Sequence, residues 1–377
     1  MKIIIAPDSF KGSLTAQEVA DAVEKGLKKA DSTLEIVKVP VADGGEGTVA
    51  ALLTAAGGKL VKAEVKDPLL NNMTAGYAIL ADGQTAVIEM AAASGLVLVP
   101  QDKRNPWYTT TYGTGQLFID ALNKGCRKFI IGLGGSATND GGSGFLKALG
   151  IKFLNETGQD TGYGGQSLPP IRFLDISGLD PRLKECEITA ACDVTNPLCG
   201  TEGASAVFGP QKGADENMIK ILDKALHNYG QLLEKAFHAP VLEVPGAGAA
   251  GGFGAALIAL GAKVERGIDI IIAVAALDEK LADADLVITG EGSIDYQTAF
   301  GKTPFGVASL AKKHNIPVIA LAGNIGVRAE ELYAKGFDSL FAICEGPISL
   351  EESMVNAEIL LEKTAERIMR LIMIYKK

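Results

Sequence analysis

Histidine, tryptophan and paired cysteine are scarce in this 377-residue chain, which has three histidines, one tryptophan and five cysteines. None of Cys126, Cys186, Cys192, Cys199 and Cys344 forms a C-x-x-C pair. A zinc site of the usual spacing is therefore excluded, and the odd count predicts reduced, mostly buried thiols. His227, His238 and His314 sit in Lys- and Leu-containing stretches of helical character. That predicts surface roles for them and leaves acid–base work to carboxylates or lysines. Aromatics make up 6% of the chain, too few for a base-stacking platform or an interfacial belt around Trp107. Positive charge is also in deficit, with 36 Lys and Arg against 45 Asp and Glu and a net charge of −9, which argues against a nucleic-acid partner. No apolar run approaches the roughly 18 residues that a membrane helix needs. The amino-terminal run Ile3-Ile4-Ile5-Ala6 is shorter than a signal-peptide core. The expectation is a cytoplasmic protein with no membrane role.

Glycine, by contrast, is in surplus. The chain has 45, where average usage predicts about 26, and the excess lies in clusters, as in loops whose backbone lines a ligand. The length exceeds the roughly 250–300 residues that one core serves, so two domains are expected. Residues 2–6 read as a buried strand. A helix follows, opened by the capping box Thr15-Ala16-Gln17-Glu18, with Val19, Val23 and Leu27 on one face. Strand 34–40, loop 42–47 and helix 48–56 repeat the plan. It returns as strand 284–289, loop 290–295, helix 304–314 and strand 317–322. The fold class predicted is α/β: residues 1–64 plus 284–377 form a doubly wound, flavodoxin- or Rossmann-like domain, and residues 65–283 an inserted mixed α/β domain. Within the insert, residues 77–80 and 85–90 flank Asp82-Gly83 as an antiparallel hairpin. Residues 155–170 read as loop, and 215–238 as a helix.

Chemistry is expected in the loops that follow strands. Strand 129–131 runs into Gly132-Leu133-Gly134-Gly135-Ser136-Ala137. Glycines there let backbone N–H groups approach a phosphate, with a helix start beyond to add positive potential. The same residues satisfy G-x-G-x-x-A, with Glu156 near the place of a ribose-binding acid, which keeps open an NAD-linked dehydrogenase of a small hydroxy acid. A second G-x-G-x-x-G at Gly246, Gly248 and Gly251 weakens that reading, and tight turn packing is the bland alternative for both. Gly301-Lys302-Thr303 imitates the end of a phosphate loop, but Tyr296 stands where that motif requires its first glycine. A standard P-loop is excluded, and Lys302 remains a candidate phosphate ligand or a solvated helix-start lysine. Asp8, Asp43, Glu46, Asp193, Glu291 and Asp295 punctuate the loops, where carboxylates can hold magnesium, accept a proton or simply cap a turn. Asp193 ends the apolar run Ile188–Cys192, which predicts a partly desolvated carboxylate suited to general-base work.

Six segments taken in order resemble the bacterial type I glycerate kinase family: Ala6–Ser13, Ala42–Thr48, Gly132–Gly142, Gly209–Ala214, Gly246–Gly254 and Thr289–Asp295. They span nearly the whole chain without a departure. The resemblance implies ATP-dependent phosphorylation of D-glycerate, at the 2-hydroxyl in preference to the 3-hydroxyl. It also implies magnesium (Mg2+) and a cleft between a flavodoxin-like domain and a smaller α/β domain. The physical assignment of roles places Gly134, Gly135, Ser136 and Lys302 on the ATP phosphates and Asp43 or Asp295 on the metal. Lys11 pairs with the transferred phosphoryl group or the glycerate carboxylate, and Asp193 receives the hydroxyl proton. A sensor of a phosphorylated metabolite is the non-enzymatic rival. Its weakness is the number of loop carboxylates, which would repel a phosphate in the absence of a metal.

Overall fold

The computed structural model describes residues 1–299 and 302–374. Along them run strands β1 (Lys2–Ile5), β2 (Glu35–Lys38), β3 (Gly58–Lys66), β4 (Asn72–Leu80), β5 (Thr85–Glu89), β6 (Lys128–Gly132) and β7 (Lys152–Leu154). β8 (Phe173–Asp175), β9 (Glu187–Ala191), β10 (Lys263–Glu265), β11 (Leu286–Ile294), β12 (Val318–Ile325) and β13 (Ser339–Ala342) complete the set. The chain divides into two units. One holds Met1–Asp43, Ala50–Ala56 and the chain from Gly267 onward, and the other holds Gly44–Val49 and Gly57–Arg266. Residues 57–64 join the second unit because β3 pairs along its whole length with β4. Residues 267–283 join the first, where helix Gly267–Val274 packs on helix Thr303–Lys313.

In the first unit the five strands are all parallel, in the order β13-β12-β11-β1-β2. Numbered within the unit this is 2-1-3-4-5, the flavodoxin-like doubly wound order. β1 is three isoleucines behind a lysine, all three buried, as a strand covered on both faces requires. Ile3 and Ile5 point to the face occupied by helices Ala16–Ala30 and Ala357–Ile374, meeting Val19, Val23, Leu27, Leu361 and Ile368. The Thr15 cap is reciprocal: its hydroxyl oxygen accepts from Glu18 N at 3.2 Å, and Glu18 accepts from Thr15 N at 2.8 Å. One expectation is corrected. Gly290–Ile294 is strand rather than loop, because β11 continues against β12 through Glu291↔Ala322 and Ile294↔Ile325. Gly290 makes that continuation possible, since a Cβ there would lie 2.2 Å from Leu321 O.

The second unit has a six-stranded sheet in the order β10-β9-β6-β5-β4-β3, antiparallel across β3, β4 and β5 and parallel beyond. β4 and β5 form the expected hairpin, with Asp82 accepting from the N–H groups of Gln84 and Thr85, both at 2.9 Å. Helix Glu216–Phe237 matches the predicted periodicity. Asp215 caps its start, and it ends at His238 in the left-handed region (φ +54°).

Gly26 sits where the helices Ala16–Ala30 and Ala357–Ile374 cross. A Cβ there would lie 2.1 Å from Glu362 O and 2.9 Å from Ala365 Cβ. Helix propensity alone predicts that Gly26→Ala stabilises by about 1 kcal/mol, whereas overpacking costs about 1–3 kcal/mol. The contact distance decides the sign, and the variant is expected to melt below the wild type in a thermal denaturation series.

Candidate functional site

The chain changes direction across the first sheet between β1 and β11, so the carboxyl ends of these strands form its topological switch point, where open α/β sheets bind ligands. Asp8 follows β1, and its N–H donates to Gly290 O at 2.8 Å. Its carboxylate is nearly buried and accepts from Ser9 N at 2.6 Å. Burial, and then the charge of Asp43, push its pKa upward. Asp43 follows β2 and meets the exposed Lys11 ammonium at 2.7 Å. Glu291, inside β11, accepts from Thr298 Oγ1 at 2.8 Å and has Lys302 Nζ at 3.3 Å. Burial raises its pKa, while Lys302 and Thr298 oppose the rise. Carboxylates able to face a cation and lysines able to face an anion thus share one pole of this sheet.

In the second unit the glycine loop after β6 lies backbone on backbone against its neighbours. A Cβ on Gly132 would sit 2.5 Å from Gly44 O, and one on Gly134 would sit 2.6 Å from Gly45 Cα. The loop is pinned on either side of its tip, where Leu96 N donates to Gly135 O at 2.8 Å and Ala137 N donates to Ser94 O at 2.9 Å. Gly135 itself is exposed in the left-handed region (φ +72°). Among the described residues, no acceptor faces the N–H groups of Gly134, Gly135 and Ser136. Successive backbone N–H groups without a protein acceptor can form an anion-binding concavity. Thr138–Gly142 prolong the loop, and the helix beyond it begins only at Ser143 and is six residues long. The loop's donors are therefore its own, and the dehydrogenase arrangement of a fingerprint running straight into a helix is absent. Glu156, its expected ribose ligand, is exposed and pairs with Arg172 at 3.2 Å.

Behind the tip the chain turns inward. Thr138, Asn139 and Asp140 are fully buried. The second glycine motif packs on them, because Gly251 would bring a Cβ to 1.9 Å from Thr138 O, and its own carbonyl accepts from Gly141 N at 3.0 Å. Turn packing is thus the role of that motif. Burial pushes the pKa of Asp140 upward, against five donors: Thr110 Oγ1 (3.1 Å), Thr111 N (2.8 Å), Thr111 Oγ1 (2.9 Å), Gly142 N (3.1 Å) and Gly144 N (3.3 Å). Beside it Lys212, 2% exposed, donates to Ser136 Oγ and Thr138 O, both at 2.7 Å.

Of the residues singled out from sequence, the structure brings Lys11 onto Asp43 and Lys302 onto Glu291. Asp295 caps a turn by accepting from Gln297 N at 2.8 Å, and its N–H donates at 3.3 Å to Thr298, the partner of Glu291. Asp193 is exposed, so the desolvation expected of it is corrected: the apolar run ahead of it is β9, and the chain leaves the sheet for solvent at its end. Gly301 lies outside the described residues. Lys212 and Asp140 were missed as functional candidates. The only signal was the placement of Lys212 within Gly-Pro-Gln-Lys-Gly and of Asp140 between an asparagine and two glycines.

Among the described residues, no three His, Cys, Asp or Glu side chains converge on one cation position. The oxygen donors fit a magnesium ion held by one or two carboxylates with phosphate oxygens and water, its usual coordination. No helix among the described residues is long and apolar enough to cross a membrane.

A model of the glycerate kinase family matches residues 3–373. Glycerate 2-kinase of Escherichia coli K12 is 52% identical over 358 residues, covering 95% of this chain and 94% of that protein. A glycerate kinase of Bacillus subtilis is 50% identical over 369 residues, covering 98% and 97%. A crystal structure described as a candidate glycerate kinase 2 from Salmonella typhimurium LT2 matches with a TM-score of 0.90 at 49% identity, covering 100% of this chain and 99% of that one.

The buried carboxylate makes a prediction. Asp140→Ala strands five donors in a dry interior, and is expected to lower the stability of the fold by about 3 kcal/mol or more. Chemical denaturation of the variant beside the wild type measures it.

Proposed function

The chain belongs to the glycerate kinase family and is a kinase, and from that premise we propose that it transfers the γ-phosphoryl group of ATP to the 2-hydroxyl of D-glycerate, giving 2-phosphoglycerate and ADP. The observation that carries the position is the name glycerate 2-kinase borne by the E. coli relative, 52% identical over 95% of this chain. Supporting the phosphate donor are the N–H groups of Gly134, Gly135 and Ser136, which have no acceptor among the described residues.

Phosphoryl transfer asks a protein to hold donor and acceptor in line, offset the charge on the phosphates and receive the acceptor's proton. Gly134, Gly135 and Ser136 hold the nucleotide phosphates through backbone donors, with Lys302 adding a mobile positive charge. Lys302 lies 3.3 Å from Glu291, so a phosphate would compete with that carboxylate for it. Lys11 pairs with the glycerate carboxylate or the transferred group. Asp43 or Asp295 would hold magnesium, which when bound neutralises phosphate charge. Asp193 receives the hydroxyl proton.

Incubation with ATP, magnesium and D-glycerate, followed by separation of 2- from 3-phosphoglycerate, tests activity and position together. ADP release should require both D-glycerate and magnesium, with 2-phosphoglycerate as the product. Equal release without glycerate rejects the reaction, and 3-phosphoglycerate rejects the position. Asp193→Asn should lower kcat by roughly 10²–10⁴-fold with ATP binding retained. A loss below about tenfold would remove Asp193 from the chemistry.

A further inference from the structure

A lysine enclosed to 2% exposure is unusual, and Lys212 has no carboxylate on its ammonium. It ends the short turn Pro210–Lys212, closed by Gly213 at φ +93°, and a Cβ on Gly213 would meet Arg104 O at 2.1 Å. The backbone is thus tightly held, and the side chain is threaded into the interior toward the glycine loop. Two of its three N–H donors are spent on Ser136 Oγ and Thr138 O; among the described residues the third has no acceptor.

A protonated lysine can only donate, whereas a serine hydroxyl has one proton and two lone pairs. With Lys212 charged, Ser136 Oγ accepts, and its own O–H must donate elsewhere. No acceptor for it is present among the described residues, and the adjacent N–H groups of Gly134, Gly135 and Ser136 have none among them either. A neutral amine carries a lone pair and can take that proton itself, turning the hydroxyl away from a ligand.

We infer that Lys212 is a positioning residue for the nucleotide: by donating to Ser136 it makes the serine hydroxyl a fourth donor to the phosphate, beside the three N–H groups, and so couples phosphate binding to its own protonation. This rests on the reading of the glycine loop as the ATP phosphate site. Burial pulls the pKa of Lys212 down to about 7, partly countered by Asp140. Asp140 is the charged group facing it from the glycine loop. Tyr229, on helix Glu216–Phe237, is a neutral phenol that faces Asp140 in turn, and Arg104 presents a backbone carbonyl to Gly213. The sign follows. Below that value the ammonium is in place before nucleotide arrives; above it, the free protein holds a neutral amine and binding an anion draws a proton in.

The test is calorimetric titration of the full-length protein with magnesium-ATP, without glycerate, in buffers of different ionisation enthalpy. Wild type should take up close to one proton per nucleotide at pH 8 and almost none at pH 6, and affinity should fall about tenfold between them. Lys212→Met should take up none at either pH and bind about 10–100-fold more weakly at pH 6. Ser136→Ala, which leaves the buried lysine in place, should also weaken binding at pH 6. It decides the matter if Lys212→Met fails to fold. Wild-type binding that is independent of pH and proton-neutral, or wild-type affinity in Ser136→Ala, overturns this inference while leaving the ATP reading intact. Failure of wild type to bind ATP at any pH overturns both.

Discussion

The close approach of backbone to backbone is the constraint on which the second unit depends. Gly132 and Gly134 lie on Gly44 and Gly45, and Gly251 lies on Thr138, at separations that no Cβ would allow. Packing of that kind removes water from peptide groups, and every polar group carried inward must find a partner or destabilise the fold. Asp140 answers by collecting five donors from two segments, and Lys212 answers by giving its protons to Ser136 and the Thr138 carbonyl. The exposed tip at Gly135 is what remains, with N–H donors that find no acceptor among the described residues. A surplus of glycine therefore has two uses within a few residues, one structural and one available to a ligand.

In the first unit the comparable constraint is the order of the strands. With β1 flanked by β2 on one side and β11 on the other, the loops leaving β1 and β11 diverge, and Asp8 and Glu291 end up near each other though 283 residues separate them. Burial raises the pKa of both, and to it the charge of Asp43 adds at Asp8 and the charge of Asp8 adds at Glu291. Lys11 and Lys302 hold the local charge near balance. Such a pole can exchange its internal lysine–carboxylate contacts for contacts to a phosphate and a cation with little net change in charge.

Much of the architecture was legible because local signals and tertiary packing agree. The capping box at Thr15, the Asp82-Gly83 hairpin and the 3.6-residue pattern of 216–237 each read directly onto the structure. The disagreement at Gly290–Ile294 has a specific cause. Gly-Glu-Gly-Ser is turn composition, but the neighbouring strand β12 supplies a ladder that local propensity does not foresee, and glycine there permits the approach rather than ending the strand. Asp193 illustrates the reverse case: an apolar run reports the burial of the strand, and says nothing of the first residue beyond it.

The sequence by itself determined the family, through six ordered loop motifs, and the alternation of strand and helix, through periodicity and caps, because both are written in short segments whose chemistry is local. Tertiary structure alone decided which of those motifs meet. It divided the glycines between packing and an open tip, made a turn cap of Asp295, and put a lysine from the Gly-Pro-Gln-Lys-Gly turn beneath a serine 76 positions earlier in the chain. Burial and hydrogen-bond polarity are properties of surroundings, and those surroundings come from residues far away along the chain.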